Sequence, residues 1–394
     1  MNGLNETPNA NRIQIGIFGK RNAGKSSLMN AIAGQSLAIV SPEKGTTTDP
    51  VSKAMELLPL GPVVFIDTPG LDDSGELGEK RVEKSLQVLN RIDIALLVAD
   101  NPNPLEGSDK MLLDSIIKRK LPYLIVRNMA DVFPPASEPA DNEIYVSAQT
   151  GYNIDALKNR LAAMSPASKN PPIISDLVKN GDIVVLVMPI DSGAPKGRLI
   201  LPQQQTIREL LDSGTAAIAV QVEQLKGIVS LLGEKIRMVV TDSQVFGAVN
   251  SILPPSIPLT SFSILFARYK GILDDSIKGI KAIDKLQDNS RVLISEGCTH
   301  HRQCDDIGTV KIPGWLSEYT GKKLEFSYTN GGDFPNTLSD YDVIVHCGGC
   351  MLNTGEVMRR MGEAKKAGVP MTNFGLLIAH LNGILERSSS LLKF

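Results

Sequence analysis

Cysteine is scarce in this chain, with four among 394 residues. That is too few for a disulfide framework. All four (Cys298, Cys304, Cys347 and Cys350) lie within one stretch of the last third, and clustered cysteines in a reducing compartment point to metal before disulfide. Long hydrophobic runs are also missing. The longest, such as Ile94–Ala99 and Ile183–Met188, fall far short of the roughly 20 residues of a membrane span. Charge of one sign is missing too. Forty-one basic residues face 43 acidic ones, a net charge of −2, so no global basic field would draw the chain to nucleic acid or a membrane surface. The first residues, MNGLNETPNANR, lack the apolar core of a signal peptide. They read as a loose tail on a cytoplasmic protein.

What is present suits an ordinary globular chain: 42% hydrophobic and 21% charged residues exclude intrinsic disorder. At about 150 residues per domain, the length implies two or three domains. Residues 1–168 alternate apolar runs (IQIGIF 13–18, PVVFID 62–67, IALLVA 94–99, LPYLIV 121–126, EIYVS 143–147) with helical stretches at 25–33 and 154–164. Continuous apolar strands between amphipathic helices predict a parallel sheet covered on both faces. SPASKNPP (165–172) marks a first boundary and LPPSIP (253–258) a second. Between them, residues 169–257 predict a small α/β unit with strands at 183–188, 216–222 and 236–240 and helices at 203–211 and 222–232. Residues 258–394 predict a doubly wound α/β unit built on apolar stretches at 259–269, 291–295, 323–328 and 342–346. The expected fold class is therefore α/β throughout.

Gly19-Lys-Arg-Asn-Ala-Gly-Lys-Ser26 follows the first strand and opens a helix, the setting in which G-x-x-x-x-G-K-[ST] wraps phosphates. Backbone N–H groups from Asn22 through Ala23, Gly24, Lys25, Ser26 and Ser27 would cradle them. Lys25 supplies a cation to the β/γ oxygens and the Ser26 hydroxyl a ligand for Mg²⁺. Asp67-Thr-Pro-Gly70 ends a strand: Asp67 can hold Mg²⁺ through water and the Gly70 N–H can sense the γ-phosphate. Between these lies Gly45-Thr-Thr-Thr-Asp49. Thr47 is the first choice to complete the Mg²⁺ shell, with Thr46 and Thr48 as rivals. Asn128-Met-Ala-Asp131 supplies a carboxylate that accepts from guanine N1–H and the 2-amino group, a donor pair adenine lacks. Ser147-Ala-Gln149 follows the next strand and brings the Ala148 N–H toward guanine O6.

In order and spacing these motifs resemble the Era and TrmE branch of small GTPases. Met129 and Gln149 stand where that branch carries lysines, and Met129 can cover the base by dispersion. Leu71 occupies the place of a water-positioning glutamine, so slow intrinsic hydrolysis is expected. Glu76 and Glu79 are candidates to orient water, the plainer reading of each being surface charge. In that branch an asparagine at the place of Asn22 binds K⁺, so the resemblance implies K⁺-stimulated turnover.

The last third carries Cys298-Thr-His300 after one strand and His346-Cys-Gly-Gly-Cys350 at the end of another. Carboxyl ends of parallel strands share one edge, so distant segments can converge there. Cys347 and Cys350 have the spacing to grip one metal or cluster, and Gly348 and Gly349 let backbone N–H groups approach sulfur. Cys298 adds a third thiolate, with His300 and His346 flanking a fourth position. Three thiolates fit a cubane cluster with one open iron. They fit zinc held by Cys₃His equally well, and the residues themselves do not separate the two. Cys304 reads as a spare core thiol or alternative ligand, His301 as a residue behind the ligands or facing solvent, and His380 and Trp315 as core.

Together with the GTPase motifs, this set resembles the family of FeFe-hydrogenase maturation GTPases, HydF. GAPKGRLILPQ (193–203), SFSILFARYKG (261–271) and CTHHRQCDDIG (298–308) match its signatures over essentially the whole chain. The resemblance implies a 4Fe-4S cluster on Cys298, Cys347 and Cys350, and a transient diiron precursor made by radical-SAM maturases and handed to apo-FeFe-hydrogenase. It also implies a homodimer formed through the middle domain, with no nucleic-acid or membrane partner. The reading from another class is a regulatory or RNA-associated GTPase with a structural zinc domain.

Overall fold

The computed structural model describes residues 12–34, 51–68, 85–100, 104–135, 138–164, 171–190, 197, 199–297, 306–335 and 337–392. The chain divides into two compact units, residues 1–167 and 168–394. In the first, β1 (Ile13–Phe18), α1 (Lys25–Ala33), β2 (Val51–Leu57), β3 (Gly61–Asp67), β4 (Ile94–Asp100), α2 (Ser108–Lys118), β5 (Tyr123–Asn128), β6 (Glu143–Tyr145) and α3 (Ile154–Met164) build a six-stranded sheet. Its order is β2-β3-β1-β4-β5-β6. All pairs are parallel except β2 with β3, which run antiparallel. That edge strand departs from the all-parallel expectation. Its sequence, VSKAMEL, carries the adjacent polar residues Ser52 and Lys53 and buries only Met55 and Leu57, so it lacks the continuous apolar run of the inner strands. The apolar runs of β1, β3 and β4 are buried on both faces and feed two separate clusters, one per face of the sheet.

The second unit holds two four-stranded sheets. The first comprises β7 (Ile183–Val187), β8 (Ala216–Val220), β9 (Ile236–Thr241) and β10 (Leu259–Ser261) in the order β10-β9-β7-β8, with α4 (Leu201–Asp212), α5 (Val222–Leu232) and α6 (Phe246–Ile252). The second comprises β11 (Arg291–Ser295), β12 (Glu325–Thr329), β13 (Val343–His346) and β14 (Met371–Asn373) in the order β12-β11-β13-β14, all parallel. Its helices are α7 (Phe262–Tyr269), α8 (Leu273–Ile280), α9 (Ile312–Thr320), α10 (Thr354–Lys366), α11 (Phe374–Leu381) and α12 (Leu385–Ser389). One hydrophobic core runs from Ile173 to Leu392 and serves both sheets.

The stretch 259–269, expected among the strands of the third part, is a three-residue strand of the middle sheet followed by a helix. Ser261 makes the switch: its hydroxyl accepts the Ile264 N–H at 3.3 Å and caps α7. Trp315 is half-buried against the core. His380, expected as a packed apolar residue, reaches a carboxylate instead. Its Nε2 lies 2.9 Å from Asp284 Oδ1 and 3.2 Å from the Tyr319 hydroxyl. Burial alone would raise the Asp284 carboxyl, but the hydrogen bonds from His380 and Tyr319 outweigh it and hold it below the usual value. Among the described residues no helix is long and apolar enough to cross a membrane.

Candidate functional site

The carboxyl edge of the first sheet gathers the residues of the phosphate motif. The chain leaves β1 at Phe18, turns through Gly19–Gly24 and enters α1 at Lys25. Gly19 has φ +140 and a Cβ there would lie 2.1 Å from Val98 O; Gly24 has φ +86 and a Cβ there would lie 2.2 Å from Asn128 Nδ2. Only glycine fits either position, so the loop is built to be tight. Asn22 also sits in the left-handed region, at φ 66. The buried Lys25 ammonium donates to Gly19 O and Lys20 O, both at 2.8 Å, and is held inside the loop. Ser26 Oγ donates to Asp67 Oδ2 at 3.1 Å. The two groups expected to share Mg²⁺ are therefore already adjacent. Burial raises the Asp67 carboxyl above its ordinary value, while the Ser26 hydrogen bond and the Lys25 charge oppose the shift. Asp67 Oδ1 is buried without a hydrogen-bond partner among the described residues. An orphaned carboxylate oxygen beside a P-loop hydroxyl suits a divalent cation.

Asn128, buried at the end of β5, ties the nucleotide loops together. Its Nδ2 donates to Ala23 O and its Oδ1 accepts the Ala148 N–H, both at 3.1 Å. The Ala148 N–H, expected to face a base, is thus spent inside the protein. Ser147 is buried, accepts the Thr150 N–H and donates its own N–H to Tyr152 O. Asp131 is exposed, and Met129 adopts φ 62. Thr46, Thr47, Thr48, Gly70, Leu71, Glu76 and Glu79 lie outside the described residues, as do Cys298, His300, His301 and Cys304.

The last sheet brings Thr329, Ser295, His346 and Asn373 into register at its own carboxyl edge. Cys347 follows β13, and its N–H donates to Ser295 O at 2.9 Å. Its sulfur accepts the N–H of Gly297 at 3.0 Å and of Gly349 at 3.3 Å. Gly297 precedes Cys298 in the sequence, so the chain leading into Cys298 reaches this sulfur. Gly349 reaches its place with φ 63, a conformation glycine adopts without strain. Burial raises the Cys347 thiol, and the two N–H donors counter it. Cys350 is pushed up to about 12 by burial and by the neighbouring Cys347, against the pull of Lys270. Both are thiols in the metal-free chain, so metal binding would release protons. A half-buried thiol pair with N–H groups aimed at sulfur fits a thiolate-bound metal or cluster. Among the described residues no group of three His, Cys, Asp or Glu side chains can hold a metal.

His346 is fully buried and commits both ring nitrogens. Nδ1 lies 2.7 Å from Cys347 O, a pure acceptor, so Nδ1 carries the proton. Nε2 then accepts from Arg360 Nη1 at 3.2 Å. Burial and the Arg360 charge push the imidazole down to about 4, so it is neutral near pH 7. Both nitrogens of this ring, expected as a possible fourth ligand, are therefore engaged within the protein. Arg360 escapes a reading of the sequence because an i,i+4 pair with Glu356 looks like a solvated helix face. The missed signal is its place on the stripe Val357, Met361 and Ala364, all buried.

Three family models match the chain. One described as a 50S ribosome-binding GTPase matches residues 14–129. The hydrogen maturase F dimerization domain matches residues 173–271, and the hydrogen maturase F tetramerization domain residues 274–391. The chain belongs to the hydrogen maturase F family. Its first unit is a GTPase domain of the kind found in other families. The tRNA modification GTPase MnmE of Legionella pneumophila (strain Corby) is 37% identical over 150 residues, which is 37% of this chain and 33% of that protein. GTPase Der of Wolinella succinogenes is 34% identical over 174 residues, 40% of this chain and 36% of that protein. The chain thus spans about a third of the length of these curated relatives. Among solved structures, an Aquifex aeolicus Era variant bound to GDP·AlF4⁻ aligns with TM-score 0.33 and 21% identity, covering 56% of this chain and 98% of that one.

Proposed function

We propose that this hydrogen maturase F chain is a slow GTP hydrolase and a scaffold for FeFe-hydrogenase assembly. It carries a 4Fe-4S cluster, accepts a diiron precursor from radical-SAM maturases and delivers it to the apo-hydrogenase in the cytoplasm. The observation that carries the reading is the Gly297 N–H on Cys347 Sγ, which joins segments 50 residues apart beside Cys298. Cys298, Cys347 and Cys350 are the assigned thiolates. With three protein ligands the cluster supplies one iron open to a second species, and His300 is a candidate for that position.

In the GTPase domain Lys25 binds the β/γ oxygens, and Ser26, Thr47 and Asp67 hold Mg²⁺. Gly70 senses the γ-phosphate and Asp131 selects guanine. Asn22 is the proposed K⁺ ligand, supported by its left-handed place in the phosphate loop. GTP turnover should be faster in K⁺ than in Na⁺, and equal rates remove that assignment.

We assign nucleotide work to residues 1–168, dimerisation to 169–257 and the cluster to 258–394. Pairing of Leu259–Ser261 with β9 argues for moving the second border past Ser261. For dimerisation, β8 ends its sheet among the described residues. The adjoining α5 buries only Leu225, while Leu231 is 78% exposed. A second copy pairing along β8 would cover both.

The test is anaerobic reconstitution of the full chain with iron and sulfide. The expected result is bound iron, acid-labile sulfide and the EPR signal of a reduced cubane. One tightly held zinc per chain and no sulfide would overturn it. That outcome favours a regulatory or RNA-associated GTPase with a structural zinc domain, a reading suggested by relatives named for tRNA modification.

A further inference from the structure

We propose that Arg360 is the positioning residue of the Cys347 corner, stapling three strand ends together so that the cysteine turn is held in one arrangement. This rests on the cluster reading above. Arg360 is fully buried and stands first by volume among the fully buried side chains. Its guanidinium bonds to its own helix, to two strand ends and to the turn after β12. Nε donates to Glu356 Oε1 at 2.7 Å on α10, and Nη2 to Gly331 O at 2.7 Å beyond β12. Nη1 lies 3.3 Å from Ser295 Oγ at the end of β11 and 3.2 Å from His346 Nε2 at the end of β13. Ser295 in turn accepts from Thr329 Oγ1 at 3.0 Å on β12. The Phe334 ring closes one face, 5.1 Å from the guanidinium carbon.

Two of these links, those to Ser295 and His346, lead on to Cys347. Ser295 O fixes the Cys347 N–H, and the His346 ring fixes the Cys347 carbonyl. A planar fork with donors in several directions can do this at once, and a lysine ammonium cannot. Stability alone does not call for it: a same-sized apolar side chain on the Val357–Met361–Ala364 stripe would fill the space without burying an ion pair. The fork also has a polarity. Nε faces the Glu356 carboxylate, and Nη1 faces His346, the residue before Cys347. Removing the cation should therefore make a cluster there harder to reduce.

The experiment uses the full chain reconstituted anaerobically with iron and sulfide, as wild type, Arg360→Met and Arg360→Lys. Iron and sulfide content, EPR line shape and midpoint potential are read for each. In Arg360→Met the affinity for iron should fall about tenfold or more, as for other outer-shell partners of metal ligands, and the potential of the residual cluster should move negative. In Arg360→Lys the charge stays while the fork is lost, so iron affinity falls and the potential stays near wild type. If Arg360→Met lacks a cooperative melt, Arg360→Lys alone decides. Wild-type loading in Arg360→Lys overturns the positioning role. A wild type that takes up no cluster sinks the parent reading instead, whatever the variants do.

Discussion

At the scale of single residues, Asp67 shows how burial and chemistry oppose each other. Desolvation raises its carboxyl above the ordinary 3.8, and the Ser26 hydroxyl and the Lys25 charge only partly restore the ionised form. A raised folded value means that Asp67 favours the folded chain below its unfolded value, and that this contribution is lost as pH rises through the folded value. A bound cation removes the penalty, because Mg²⁺ and the proton compete for the same oxygens. Mg²⁺-dependent GTP binding should therefore weaken as pH falls from neutral through the raised Asp67 value. In Asp67→Asn the Mg²⁺ dependence should weaken and the part of the pH dependence set by the Asp67 carboxyl should disappear. Titration of a fluorescent GTP analogue at several pH values, with and without Mg²⁺, reads both; an unchanged profile in Asp67→Asn denies it the cation. Lys25 and Ser26 were legible because a phosphate loop fixes residue types at fixed spacing, and Asp67 because Asp-Thr-Pro-Gly closes an apolar strand after that loop. Arg360 and the engaged nitrogens of His346 were not, because a buried polar network depends on which elements meet, and spacing along one element does not report that.

At the scale of elements, buried strands read well where apolar runs are continuous. Helix α7 did not. Phe262, Ile264, Leu265, Phe266 and Ala267 are all buried, and a segment apolar on all sides has no period to separate helix from strand. The contact of α8 with β14 was equally hidden. Gly279 lies inside α8, where glycine costs about 1 kcal/mol in helix propensity relative to alanine. A Cβ there would sit 2.3 Å from Met371 O and 2.7 Å from Met371 C. Those atoms belong to a strand of the sheet and have nowhere to go. Gly279→Ala should therefore destabilise the second unit by about 1–3 kcal/mol despite the better helix former. Trp315, the single tryptophan, lies on α9 in that unit, so its fluorescence during urea unfolding reports the second unit alone. An unchanged or raised midpoint would mean that α8 shifts freely away from β14.

At the scale of the whole molecule, the cores decide what can be separated. The clusters of the first unit and the single cluster of the second share no residue. Within the second unit one core serves two sheets, so the middle and last parts should stand or fall together even though the sequence marks a boundary between them. Lys25 is held by carbonyls of its own loop, and Cys347 by N–H groups of Gly297 and Gly349. Each of these bonds is made within one unit. Lys25→Ala should therefore abolish GTP turnover and leave iron and sulfide uptake at the wild-type level. Cys347→Ser should lose the cluster and keep GTP turnover. Phosphate release and iron content, measured on both variants under identical anaerobic conditions, give four numbers that a two-site chain arranges as two losses and two retentions. Loss of both activities in either variant would mean that one site cannot exist without the other, and that nucleotide and metal chemistry form a single machine.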